Sequence, residues 1–197
     1  MREVELKSVV DDVQHRRNLV ERAGASLVFE GRLLDVRYDQ RQGGLVAQDH
    51  VLRLRVYEAA GHSEASIDWK SPTRYESGYK VRDELSSMVG DPAALAEILG
   101  RLGFVPIREI DREIAQYEFH GALVRFERYP RMDPLVEVEG TPDEIERAIK
   151  ATGLPREGFT SERLPDFAAR FEQRTGERAA LSTGEVTGNY EYRSDDA

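Results

Sequence analysis

Glu3-Val4-Glu5-Leu6-Lys7 opens the chain in strict alternation: charge at 3, 5 and 7, apolar side chains at 4 and 6. Residues two apart on a β-strand project from the same face, so this stretch is a strand with one charged and one apolar face. The pattern recurs along the chain. Arg53 and Arg55 oppose Leu52, Leu54 and Val56, and Asp68 and Lys70 oppose Ile67 and Trp69. Lys80, Arg82 and Glu84 oppose Val81 and Leu85, although Asp83 interrupts the apolar side. Arg125 and Glu127 oppose Val124 and Phe126, and Glu137 and Glu139 oppose Val136 and Val138. An antiparallel sheet with one face in water would also be charged on that face. Such a face usually mixes in Ser, Thr, Asn and Gln, however, and this one is almost entirely Glu, Lys and Arg.

A closed barrel accounts for that composition. If the strands curl on themselves, the charged faces can point inward and line a wet tunnel, with helices covering the apolar outside. Cations crowded in a tunnel repel one another until a polyanion enters, and arginine forks suit phosphate oxygens. Glutamates on the same walls would repel phosphate unless a hard cation bridged the two, as Mg²⁺ or Mn²⁺ does through oxygen ligands.

The rest of the sequence bounds this reading. The chain has 197 residues, 40% hydrophobic and 33% charged, which suits one domain with a real core. No apolar run approaches the ~18 residues of a membrane span, and Met1–Glu5 has no signal-peptide character, so a cytoplasmic location is expected. There is no cysteine, which excludes disulfides and thiol chemistry. A net charge of −9 argues against a nucleic-acid polymer as partner but not against a small polyanion. His15, His50, His62 and His120 are scattered without metal-site spacing, and no P-loop or dinucleotide fingerprint is present.

Element boundaries follow from caps and breakers. Strands are expected at Arg2–Val10, Ser26–Phe29, Leu33–Tyr38, His50–Glu58, Glu64–Lys70, Tyr79–Met88, Phe104–Phe119, Leu123–Tyr129 and Leu135–Gly140, with a loop over Asp39–Asp49. Helices are expected over Val13–Ala23, from Pro92 to Leu102 behind the cap Asp91, from Pro142 to Thr152, and near Ser161–Arg174 with an interruption at Pro165. Residues 1–180 form the domain, and 181–197 read as a flexible, Ser/Thr/Gly/Asp-rich tail.

At the level of motifs the chain resembles the CYTH family, the triphosphate tunnel metalloenzymes, which include class IV adenylyl cyclases, thiamine triphosphatases and inorganic tripolyphosphatases. Glu3-Val4-Glu5-Leu6-Lys7 is its ExExK strand, Leu52-Arg53-Leu54-Arg55 its paired-arginine strand, and Trp69-Lys70-Ser71-Pro72 its lysine-then-proline strand end. Lys80, Arg82 and Glu84, then Arg112, Arg125, Glu127 and Glu137-Val138-Glu139 follow in the family's order. The resemblance implies an α+β fold: a closed, antiparallel eight-stranded β-barrel with helices packed outside. It implies triphosphate contacts from Lys7, Arg53, Arg55, Lys70, Lys80, Arg82, Arg112 and Arg125. It implies Mg²⁺ or Mn²⁺ ligands at Glu3, Glu5, Glu137 and Glu139, with Glu84 and Glu127 as supporting acids. The partner would be a small-molecule triphosphate, and the outer surface could support a homodimer. Hydrolysis of an inorganic or organic triphosphate is the leading expectation. Cyclisation of ATP to cyclic AMP and pyrophosphate, or binding without turnover, are the alternatives. Four positions depart from the family pattern. Asp68 stands where a small hydroxyl residue is common, and Ser86 where a glutamate often follows Glu84. Ser71 replaces a usual glycine, and Ile114 a frequent second basic residue. Tyr38, Tyr75, Tyr79 and Trp69 could stack on an organic group or simply pack.

Overall fold

The computed structural model describes residues 2–190. Nine strands alternate with helices: β1 (Arg2–Val9), β2 (Ser26–Gln40), β3 (Val51–Ala59), β4 (His62–Lys70), β5 (Arg74–Glu76), β6 (Tyr79–Val89), β7 (Phe104–Phe119), β8 (Ala122–Arg128) and β9 (Leu135–Glu139). The helices are α1 (Val13–Arg22), α2 (Pro92–Arg101), α3 (Pro142–Thr152), α4 (Leu164–Thr175) and α5 (Thr183–Thr187).

Eight strands close into a barrel in the order β1-β9-β8-β7-β2-β3-β4-β6, and β6 returns to pair with β1. Every pairing is antiparallel. The ninth strand, β5, is not a separate layer. It pairs with Tyr79–Val81 of β6, while β4 pairs with Glu84–Val89. β4 and β5 therefore run along one neighbour in succession, separated by Ser71-Pro72-Thr73. Proline cannot donate to the ladder, and Ser71 bridges the gap. Its N–H donates to the Asp83 carbonyl at 2.9 Å and its Oγ accepts from the Asp83 N–H at 2.8 Å.

Most of the apolar core lies outside the barrel. Val4 and Leu6 of β1, Val81 of β6, Val124 and Phe126 of β8, and Val136 and Val138 of β9 pack with Val13 and Val20 of α1 and with Ile145, Ala148 and Ile149 of α3. A second cluster joins Leu54 of β3 and Tyr38 to Leu99 of α2. A third joins Ile110 and Leu135, which face the tunnel residues Asp35 and Glu127 in register, to Phe167 of α4 and Leu181, so it packs against the inner face of the barrel. Each fully buried aliphatic side chain contributes about 1.5–3 kcal/mol, so α1, α2 and α3 hold the barrel from without, while α4 borders the tunnel through Leu164 and Pro165.

Three expectations are corrected. Ser26–Phe29 and Leu33–Tyr38 are parts of one 15-residue strand. Gly31 does not break it: a Cβ there would lie 2.2 Å from the Glu58 carbonyl oxygen, and glycine permits that approach of β2 to β3. Pro165 does not interrupt α4 but sits in its first turn, where its missing N–H costs nothing. The tail expected from residue 181 is ordered to 190. Ala180 pairs with Arg131, Leu181 is 1% exposed, and Ser182 caps α5. Residues 191–197 of that expected tail lie outside the described residues. Among the described residues, no helix is long and apolar enough to cross a membrane.

Candidate functional site

The fourteen residues expected to take triphosphate or metal, or to support them, all line one cavity of about 240 Å³ inside the barrel. Cross-strand register explains how. Glu5 faces Lys80 on β6 and Glu139 on β9, and Lys7 faces Glu137. Arg125 faces Glu137 in turn. Across the barrel, Arg53 faces Asp68, Asp68 faces Ser86, and Lys70 faces Glu84.

The tunnel is electrically divided. On the β1–β9 side, Glu3, Glu5, Glu137 and Glu139 come together, and three of the four are held by lysine or arginine. Lys70 contacts Glu3 and, at 3.0 Å, Glu84. Lys7 lies 2.7 Å from Glu5 and also contacts Glu137, while Lys80 contacts Glu5 and Arg125 contacts Glu137. Burial opposes ionisation of Glu5, but Lys7, Lys80 and Lys70 hold its carboxyl well below the usual range. Glu139 has no ion pair among the described residues. Burial, then the carboxylates of Glu3 and Glu137, push its pKa up to about 7.

The opposite side is dominated by guanidinium groups. Arg55 donates to Asp35 at 2.8 Å, Arg112 to Asp35 at 3.1 Å and to Glu127 at 3.0 Å, and Arg125 to Glu127 at 3.0 Å. Against burial, Arg112 and Arg125 draw the Glu127 pKa down to about 2, so Glu127 holds neighbouring arginines in place. The Tyr129 hydroxyl also donates to Glu127. At the mouth, Asp49 accepts from Arg82 at 3.0 Å, Arg163 at 3.1 Å and the Thr73 N–H.

Two departures from the family pattern turn out to be one. Asp68 and Ser86 face each other across β4 and β6, and the Ser86 hydroxyl donates to Asp68 at 2.7 Å. The carboxylate and hydroxyl that the resemblance leads one to expect on β6 and β4 have exchanged strands. Arg53 keeps an acidic partner at 2.8 Å.

Beyond those fourteen, Asp35, Arg37, Asp49, His50, Tyr129 and Arg163 also line the cavity. Asp35 and Arg37 carried a signal, since Leu34-Asp35-Val36-Arg37 alternates as the other strands do. Of the aromatics, Trp69 stacks on His50 at 5.3 Å, Tyr38 packs with Leu54 and Leu99 and also borders the cavity, Tyr79 belongs to the outer core, and Tyr75 is exposed.

The acidic side fits a hard divalent cation by its donors. Four carboxylates share a buried wall, and one of them is uncompensated enough to resist ionisation. Among the described residues no three carboxylate or imidazole groups converge at ligating distance. A cation would therefore have to displace lysine contacts, and those lysines would be released toward an anion.

The profile of the CYTH domain matches residues 1–162. No curated protein matches the chain. Among solved structures, the PH1012 protein of Pyrococcus horikoshii OT3 is 20% identical with a TM-score of 0.68, covering 84% of this chain and 98% of its own. A candidate adenylate cyclase of Vibrio parahaemolyticus is 17% identical with a TM-score of 0.72, covering 85% and 97%. A candidate adenylyl cyclase of Hippeastrum, described as having a dominant triphosphatase activity, is 17% identical with a TM-score of 0.60, covering 91% and 99%. At such identities the likeness speaks for the fold alone, and it is the profile match over most of the chain, on a closed eight-stranded charged tunnel, that places this protein in the CYTH domain family.

Proposed function

We propose that the tunnel binds a triphosphate together with Mg²⁺ or Mn²⁺ and hydrolyses it. The observation that carries this reading is the division of one buried cavity into a carboxylate wall and a guanidinium wall. Lys7, Arg53, Arg55, Lys70, Lys80, Arg82, Arg112 and Arg125 would take the phosphate oxygens. Each now contacts a carboxylate, so binding is an exchange of partners rather than the filling of vacant sites.

Glu3, Glu5, Glu137 and Glu139 would hold the metal ion, which supplies Lewis acidity to phosphate oxygens when bound. The chain's own contribution is positional and electrostatic. Guanidinium forks fix the orientation of the phosphates. Charges preorganised in a tunnel stabilise the negative charge that shifts onto the leaving oxygen. Water attacks the terminal phosphorus, the bond to the bridging oxygen breaks, and diphosphate leaves.

The activity described for the Hippeastrum relative supports hydrolysis. A cyclase reading draws on His50, which lines the cavity and is backed by Trp69, as a ring on which an adenine could rest. Asp49 is poorly placed to take a ribose proton. Burial opposes its ionisation, but the Thr73 N–H and Arg82 hold its pKa below the usual value, and its oxygens are engaged.

Phosphorus NMR of the purified protein with tripolyphosphate and with ATP, each with Mg²⁺ or Mn²⁺, separates these readings. Orthophosphate from tripolyphosphate is the expected result. Cyclic AMP with pyrophosphate from ATP would make the protein a cyclase. Binding without product would make it a triphosphate-binding module.

A further inference from the structure

Arg53, Arg37 and Arg108 stand opposite one another on three adjacent strands, β3, β2 and β7. Like charges in facing cross-strand positions oppose pairing, so such a row calls for compensation. The neighbouring row has it: Asp35, between Arg55 and Ile110, accepts from Arg55 and Arg112. In the arginine row, Arg53 leans on Asp68 at 2.8 Å. Arg37, at its centre, has no ion pair among the described residues, and its buried Nε makes no hydrogen bond. Burial, then the Arg53 guanidinium, push its pKa down to about 10, with Arg108 and Arg82 adding to the effect and Asp35 opposing it. It is still charged at neutral pH.

The contrast with the other lining cations is what matters. All eight residues assigned above to the triphosphate contact a carboxylate, and Arg163 at the mouth contacts Asp49. Among the described residues, Arg37 is the lining cation that the wall leaves uncompensated. Its row also has a defined place along the tunnel. It lies two residues toward the mouth from the Arg55–Asp35 row, beside the segment 41–50 that joins β2 to β3. Arg108 lines a groove between β7 and α4, and Pro165 borders both that groove and the tunnel.

We propose that Arg37, flanked by Arg53 and Arg108, is a fourth anion subsite at the mouth end of the tunnel, and that it accepts an additional phosphate on a linear chain longer than a triphosphate. This rests on the triphosphate reading of the rest of the tunnel. A guanidinium set between two others offers a phosphate several N–H donors, and the incoming charge relieves the repulsion along the row.

Calorimetric titration of the full chain with inorganic tripolyphosphate and with inorganic tetrapolyphosphate tests it, run in Ca²⁺ in place of Mg²⁺ so that a hard cation is present under conditions where phosphorus NMR after each run finds the ligand intact. The wild type is expected to bind the tetraphosphate about tenfold more tightly or better. Arg37→Met should abolish that preference while changing tripolyphosphate affinity by less than about twofold, and Arg37→Lys should keep part of it. Free Arg37→Met should melt no lower than the wild type, because the substitution removes a repelling charge. Equal wild-type affinity for the two chains would remove the subsite and leave the triphosphate reading standing. An equal loss of both ligands in Arg37→Met would move Arg37 into the triphosphate set and overturn the proposal. Failure of the wild type to bind either ligand would overturn the triphosphate reading as well.

Discussion

Glu139 and Arg53 show what a single side chain does in this tunnel. Glu139 has a pKa raised to about 7 from an ordinary 4.5, by burial and by neighbouring carboxylates. Below about pH 4.5 it is protonated whether the chain is folded or unfolded, and it costs nothing. The cost of ionising it in the folded protein grows as pH rises from there and is complete above pH 7. Glu139→Gln should therefore raise the melting temperature of the metal-free protein at pH 8 and leave it nearly unchanged at pH 5. The difference should amount to no more than about 3 kcal/mol. The same variant should lose metal-dependent turnover, and retained activity would remove Glu139 from the metal site. Arg53→Ala should weaken tripolyphosphate binding by about 1.5–3 kcal/mol, the range for charge-assisted hydrogen bonds, as read by calorimetry. The fourteen residues could be picked from the sequence because each sits at a period-2 position beside an apolar neighbour or within a motif. Arg37 shows the same alternation but lies in no motif, and only the barrel's register shows that it faces Arg53 and Arg108.

At the scale of elements, local signals located strands and helices well, while tertiary contacts decided where they ended. The helix from Pro142 to Thr152 was legible from its cap, and Glu144 indeed accepts from the Thr141 N–H at 2.8 Å. What no cap could reveal is that α3 packs against the outside of the barrel, with Ile145 completely buried. Ile145→Ala should cost about 2–5 kcal/mol in denaturant unfolding, as large-to-small changes in a packed core do. A cost below about 1 kcal/mol would mean that α3 is dispensable to the barrel. Gly31 lies between the two strands expected over Ser26–Phe29 and Leu33–Tyr38, which the structure joins into one. Glycine within a strand ordinarily signals a break or a bulge, and here it reflects a carbonyl across the sheet. Gly31→Ala should lower the melting temperature while leaving the tunnel's ligand contacts intact, since the clash is with β3 backbone.

For the whole molecule, ligand binding follows from the way opposite charges are already matched. The cations expected to hold phosphate now hold carboxylates, and the carboxylates expected to hold metal are mostly held by cations. Either ligand alone must leave some charges stranded, whereas both together give each wall a new partner. Mg²⁺ and tripolyphosphate should thus raise the melting temperature together by more than the sum of their separate effects. Simple additivity, after allowing for the metal–phosphate complex formed in solution, would count against the exchange. The closed barrel was legible because so much full-length charge needs either water or an enclosure. The position of α4 and the segment after Ala180 was not, because a few apolar side chains such as Leu181 decide it within an otherwise polar stretch.

The exchange between Asp68 and Ser86 also bears on descent. Asp68 is bonded to both Arg53 and Ser86, so a lone replacement at either position of the pair disturbs its neighbours. Two changes on adjacent strands, made in concert, shift the acid from β4 to β6 or back while Arg53 stays satisfied. Tunnels of this design should accordingly drift in doublets. Asp68→Ser or Ser86→Glu singly should lower the melting temperature more than the double variant, a coupling between adjacent strands that four proteins on a melting curve could read.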